Sequence, residues 1–360
     1  MQGFLKRYFA AAALGLAVIA TAAIQPAAAA GRTHFKLAWS IYAGWMPWGY
    51  AADHGIIKKW AKKYGITIDV TQVNDYIQSI NQYTSGDYDA CLMTNMDALT
   101  IPAAAGVDST ALIVGDFSNG NDGVVLKGKG KTFADIKGQK VNIVELSVSQ
   151  YLLDRALQMH HMSERDLTLV NTSDADMVAA YQAPSTTAVV TWKPQLSTIL
   201  ASPDATEVFN SSKIPGEIID MAVIKTNVLK KYPKFAKALV GAWYETMKLM
   251  TAKNAAAKAA LTSMAKASGT DLKGYESQLA TTRMFYKPSA AVKFTDSPKL
   301  LKTMDYVRQF SFQHGLLGQG AESVNAVGIQ FPDGKVLGDK SNIKLRFNSR
   351  YMKMAADGKL

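Results

Sequence analysis

Short β-branched runs alternate with amphipathic stretches along most of this chain, and that alternation limits its fold more than any other feature. Phe35 to Ser40 reads as a strand, followed by a Gly/Pro/Trp-rich loop and a helix from near Trp48 to His54-Gly55. Thr67 to Val73 is strand-like, with β-branched residues in polar alternation. Ile77 to Ser85 is helical and stops at Gly86, a residue suited to the left-handed turn that closes a helix. Tyr88 to Met93 is a strand, Met96 to Ala105 a helix closed by Gly106, and Thr110 to Val114 a strand again. A β-α-β-α-β order predicts a mostly parallel sheet with helices on both faces.

A second set begins after Gly123. Val124 to Leu126 is a short strand, and Lys127-Gly128-Lys129-Gly130-Lys131 is a solvated turn. Strand Lys140 to Val144, helix Ser149 to His161, strand Leu167 to Val170, helix Asp174 to Ala183 and strand Ala188 to Thr191 complete it, over roughly residues 124 to 213. Glu217 to Ile224 is strand-like, and helices then dominate: Lys234 to Met250, Ala255 to Ala267, Tyr275 to Thr282 and Ser297 to His314. Val327 to Met354 holds two strand-like runs around Pro332-Asp333-Gly334, a hairpin or an edge extension. One α/β unit inserted inside another predicts two lobes joined by crossings near Phe117 to Gly123 and Ser211 to Glu217, with any ligand held beyond the strand ends in the cleft between them. The expected organisation is lobe I over 31–120, lobe II over 121–215, the return to lobe I with C-terminal helices over 216–320, and a C-terminal extension over 321–360.

Residues 1–30 read as a cleaved signal peptide: Lys6 and Arg7, an apolar run from Tyr8 to Ile24, and the small-residue tract Pro26 to Ala30. The run is short for a membrane anchor, which needs about 20 apolar residues. Export to the periplasm is therefore expected. A single cysteine, Cys91, excludes an internal disulfide, and its apolar setting reads as a buried strand. The formal charge of +11 falls to +9 once Lys6 and Arg7 leave. No Arg/Lys stripe interleaves with exposed aromatics, so a nucleic-acid partner is not expected. The five histidines, His34, His54, His160, His161 and His314, are dispersed. With no nucleophile–base motif, phosphate loop or compact ligand cluster, the expectation is no enzyme, no cofactor and no metal.

Phe133-Ala134-Asp135-Ile136-Lys137-Gly138-Gln139-Lys140-Val141 resembles the "aDlkGkkV" step of periplasmic solute-binding proteins of ABC importers. Ser147 to Leu153, Leu167 to Asn171 and Ala188 to Pro194 continue the likeness, and Gly49 to Gly55, Gly86 to Ala90 and Ala104 to Val107 match the same nitrate/sulfonate/taurine class. The resemblance covers about residues 35 to 250. More narrowly, Trp39 to Trp48 resembles the branch associated with urea-carboxylase gene sets, for which urea or guanidine are the proposed solutes. It implies an α/β, two-lobed, type II-like periplasmic binding fold, each lobe a mostly parallel sheet flanked by helices, with extra C-terminal helices and a tail. It further implies a monomeric receptor that closes on a small-molecule solute and delivers it to an ABC permease in the inner membrane.

Carried onto this chain, the family's ligand-contact regions are Trp39, Ser40, Trp45 and Trp48 after the first strand, then Thr94, Asn95 and Asp97. Asp116, Asn119 and Asp122 lie at the first crossing, Glu145, Ser147 and Ser149 at a helix start of lobe II, and Thr191 and Trp192 after a later strand. Glu217 and Asp220 lie at the return. Several have a plainer reading: Asp97, Ser147 and Ser149 are all good helix caps. Glu217 and Asp220 are three apart and face opposite sides of a regular strand. Lys193 is the only basic residue directly beside these positions, against six carboxylates. Tryptophans with carboxylates suit a planar or cationic solute. The expected order is guanidine-like or amine cations, then urea, then sulfonate, taurine or nitrate. A ligand-presenting sensor module and an enzyme on the same fold remain as other readings.

Overall fold

A computed structural model describes residues 31–360. The signal peptide expected over residues 1–30 lies outside the described residues. The first strands, β1 (His34–Trp39), β2 (Thr67–Gln72), β3 (Ala90–Thr94) and β4 (Ser109–Ser118), alternate with helices. The chain then crosses to β5 (Asp122–Lys127), β6 (Lys140–Ile143), β7 (Thr168–Asn171), β8 (Ala188–Trp192) and β9 (Ala205–Asn210). It returns through β10 (Ile219–Lys225) and β11 (Thr282–Met284), and ends with β12 (Gly328–Gln330), β13 (Val336–Leu337) and β14 (Ile343–Phe347). The result is a nine-stranded sheet ordered β13-β12-β14-β4-β10-β3-β1-β2, with β11 on β4, and a five-stranded sheet ordered β7-β6-β8-β5-β9.

Local chemistry accounts for the elements. β3 is buried at every position and central, whereas β2 is half exposed and lies at the sheet edge. Asp75 opens the helix Tyr76–Ser85 by accepting the Gln78 N–H, and Gly86 closes it with φ 113°. The helix Pro233–Met250 turns Phe235, Leu239, Ala242 and Met247 inward.

The strand that follows each crossing runs antiparallel to its neighbours. β10 lies antiparallel between β3 and β4, and β5 antiparallel between β8 and β9, because the chain enters each sheet from the cleft side. The crossings are tied together: Ser118 Oγ and Ser211 Oγ are 2.6 Å apart, and Ser211 Oγ also accepts the Gly120 N–H at 2.7 Å. β9 and the helix Pro288–Thr295 were not anticipated from the sequence; both are short and lack a long periodic run. The tail is folded onto the first sheet. β12 and β13 form a hairpin, β14 pairs in parallel with β4, Arg346 bonds Asp108, and Phe331 stacks on Phe347 at 5.6 Å. Among the described residues no helix is long and apolar enough to cross a membrane.

Candidate solute site between the lobes

The register of three strands concentrates acid at the cleft. Asp220, at the start of β10, sits opposite Thr94 of β3 on one side and Asp116 of β4 on the other. From the second sheet, Asp122 at the start of β5 is paired with Trp192 at the end of β8. Between these ends is a cavity of about 20 Å³, with room for the centre of little more than one water molecule. Tyr42, Trp45, Tyr76 and Trp192 form its aromatic wall, Asp122 and Asp220 its acidic one, and Thr94, Val148 and Ile218 complete it. The rings follow one another at centroid distances of 5.2, 5.7 and 5.5 Å from Tyr42 through Trp45 and Tyr76 to Trp192. Such tilted, edge-to-face contacts are the preferred aromatic geometry.

The carboxyl groups are buried beyond what ordinary ionisation tolerates. Asp116 is fully buried and accepts the Tyr42 hydroxyl at 2.9 Å, and Asp220 faces it across the strand pair, close enough for the two carboxyls to share one proton between them. Each of the pair has an Oδ2 that meets no N–H or O–H donor from the rest of the protein. Burial drives the pair's affinity for protons up, Asp220 most strongly because the Asp116 and Asp122 charges add to it. Burial likewise pushes Asp122 up to about 7. Lys193 is the basic side chain whose field reaches Asp122; its Nζ is held by Thr281 Oγ1 at 3.0 Å, and burial lowers its pKa.

Two further aspartates act at helix starts. Asp97 Oδ2 accepts the Tyr76 hydroxyl at 2.6 Å and the Thr94 hydroxyl at 2.8 Å, while its Oδ1 meets no donor; the Val148 N–H at the head of the helix Val148–Met159 is near enough to favour its ionised form. Asp174 of the second lobe accepts the Tyr76 backbone N–H at 3.0 Å. Both are pushed up to about 6, chiefly by burial. Other bonds also cross the cleft: Ala43 N–H to Lys193 O and Trp192 Nε1–H to Ile41 O, each at 3.3 Å.

Of the residues expected to contact ligand, Trp45, Thr94, Asp122, Trp192 and Asp220 line the cavity, and Asp97 and Asp116 stand immediately behind it. Ser40 is buried nearby, with no partner for its hydroxyl. Trp39 packs against Gly49, and Trp48 stacks on Trp243 at 5.2 Å, so both support the loop from the lobe I core. Asn95 braces the entry to β10, accepting the Ile219 N–H and donating to Glu217 O. Asn119 donates its N–H to Thr281 O at the first crossing. Ser147 is a cap: it accepts the Ser149 N–H and donates to Val144 O. Glu217 is held by Tyr151 and Arg155, and Glu145 faces an outer groove. Sequence reasoning missed Tyr42, Tyr76, Val148 and Ile218. Only Tyr42, inside the Trp-rich loop, and Tyr76, directly after a capping aspartate, carried any signal.

Solved structures share this architecture. The alkanesulfonate-binding protein SsuA from Xanthomonas axonopodis pv. citri, bound to MOPS, matches with a TM-score of 0.66 at 17% identity, over 81% of this chain and 96% of that one. The aliphatic sulphonate-binding SsuA from Escherichia coli matches at 0.63 and 17%, over 79% and 88%. The nitrate-binding protein NrtA from Synechocystis PCC 6803 matches at 0.57 and 12%, over 90% and 99%. At such identities the likeness is one of fold, and the fold is the two-lobed α/β architecture of periplasmic binding proteins. In that architecture the cavity lies between the two lobes. Residues 38–265 match the NMT1-like family, and the chain belongs to it. No curated protein matches.

Proposed function

We propose that this chain is the periplasmic receptor of an ABC importer and that its solute is a small nitrogenous cation, of guanidine or amine type, delivered to a membrane permease. The observation that carries the reading is the cavity wall: aromatic faces opposite buried carboxyl groups, with no Lys or Arg among the lining residues. A desolvated cation over an aromatic face gains about 2 kcal/mol, and an ionised carboxylate accepts its N–H donors. Without a cation the same carboxyls stay protonated, since burying unpaired charge costs several kcal/mol. The closed cavity is far below the ~300–1,000 Å³ of drug-sized sites, so the solute that suits it is small, a few non-hydrogen atoms admitted by a slight widening of the cleft.

A second reading, a sulfonate, taurine or nitrate receptor, is favoured by what the structural neighbours are named for binding. Against it stands Asp97. A helix N-terminus is the natural seat for an anion, and here the head of the helix Val148–Met159 already faces this chain's own Asp97 carboxyl. Urea suits the flat aromatic wall but, being neutral, gains no charge pairing from the carboxyl groups.

The test is calorimetry on the purified protein with guanidinium, methylammonium, urea, taurine and nitrate. Saturable binding of guanidinium or methylammonium, with neither anion bound, supports the cationic receptor. Binding of taurine or nitrate alone would overturn it in favour of the second reading.

A further inference from the structure

A second acidic concavity opens at the rim of the cleft, outside the aromatic cavity. It is a groove of about 420 Å³ between the head of the helix Tyr76–Ser85 and the loops after β6 and β7. Asp75 and Gln78 wall it from lobe I, and Glu145, Asn171 and Asp174 from lobe II; none of its lining residues is Lys or Arg. Asp174 is only 1% exposed, and while its Oδ1 holds the Tyr76 N–H, its Oδ2 has no donor. Asp75 adds its field to that carboxyl.

The helix start supplies about half a positive charge. That offsets at most one of three carboxylates and leaves a negative surplus facing water. Among the described residues no trio of His, Cys, Asp or Glu is spaced to hold a metal ion. A spread acidic lining of this kind suits loose collection of a monovalent organic cation better than chelation.

Tyr76 separates the groove from the cavity. Its backbone N–H is on Asp174, its ring forms part of the cavity wall, and its hydroxyl is on Asp97. When the lobes part at the Tyr76–Asp174 contact, the groove and the cavity share one wall.

We propose that this groove is an antechamber, an outer and weaker site where Asp75, Glu145 and Asp174 gather the small cation before the cleft closes over it. The inference rests on the cationic-solute reading above. Charged clefts of one sign raise association rates about 10- to 1,000-fold, and rim charges act on association more than on dissociation.

The experiment is stopped-flow fluorescence of the full chain with guanidinium chloride, reporting through Trp45 and Trp192. Wild type is compared with the double variant Asp75→Asn, Glu145→Gln, in which asparagine keeps the helix cap. At about 20 mM salt the variant should associate roughly three- to tenfold more slowly, with dissociation unchanged, and the difference should shrink at about 200 mM salt. A normal wild-type response with an equal association rate in the variant overturns the antechamber alone. No wild-type binding of guanidinium overturns the antechamber together with the reading on which it rests.

Discussion

Tyr76 is held by an aspartate from each lobe, its N–H by Asp174 and its hydroxyl by Asp97. Asp174 of lobe II thereby sits at the head of a lobe I helix, and Asp97 of lobe I lies near the Val148 N–H at the head of a lobe II helix. Each carboxylate meets the positive end of the other lobe's helix, so closure and charge compensation are one event. Tyr76 links the two, since its hydroxyl returns to Asp97.

Replacing Asp174 by Ala should therefore favour the open form. The Tyr76 N–H would be left unpaired in the closed cleft, a loss of about 1–3 kcal/mol, whereas water satisfies it once the lobes separate. Small-angle scattering of the ligand-free variant is expected to give a larger radius of gyration than wild type. Superimposable profiles would count against the latch.

The buried carboxyls also set a pH dependence. Asp122 is pushed up to about 7 by burial, against about 3.9 in an unfolded chain. Between those values the folded, ligand-free protein binds protons that the unfolded chain has released. This stabilisation is complete below about pH 4 and is lost as pH rises through about 7. The melting temperature of the ligand-free protein should fall across that window, and Asp122→Asn should flatten the slope. A slope identical in wild type and variant would refute the assignment.

Asp116→Asn tests the paired carboxyls. Asparagine can still accept the Tyr42 hydroxyl and pair with Asp220, so folding stability should hold. Guanidinium affinity should drop about tenfold, about 1.4 kcal/mol, because the cavity loses a negative charge that stands behind its wall. Calorimetry beside urea unfolding separates the two effects, and unchanged affinity would exclude Asp116 from solute binding.

Gly44→Ala should damage the site by crowding alone. A Cβ at Gly44 would lie 2.5 Å from Tyr42 Cε1 and 2.8 Å from Asp116 Oδ2, pressing on the bond between them. A destabilisation of about 1–3 kcal/mol by chemical denaturation is expected, as for other overpacked sites, together with weaker guanidinium binding. A variant with wild-type stability and affinity would contradict this packing.

The sequence by itself determined the elements and their broad order, because periodicity, caps and turn residues act over a few neighbours. The amphipathic run Ile77 to Ser85, Gly86 after it and the apolar step Ala90 to Met93 are local signals, and each appears in the fold as read. Trp45, Asp122, Trp192 and Asp220 were candidates through the family resemblance, which places ligand contacts in a loop, at the crossings and after strands. Only the tertiary structure decided which of the candidates meet. Inserting β10 antiparallel between β3 and β4 sets Asp220 between Thr94 and Asp116, residues more than a hundred positions away, and no local pattern encodes that insertion. Closure decided the rest: it brings Tyr76 against Trp192, seats Asp174 on the N–H at the head of a helix of the opposite lobe, and leaves Glu145 on the outer rim. Those relations depend on the packing of two sheets, where burial and charge compensation act between residues that the chain itself keeps far apart.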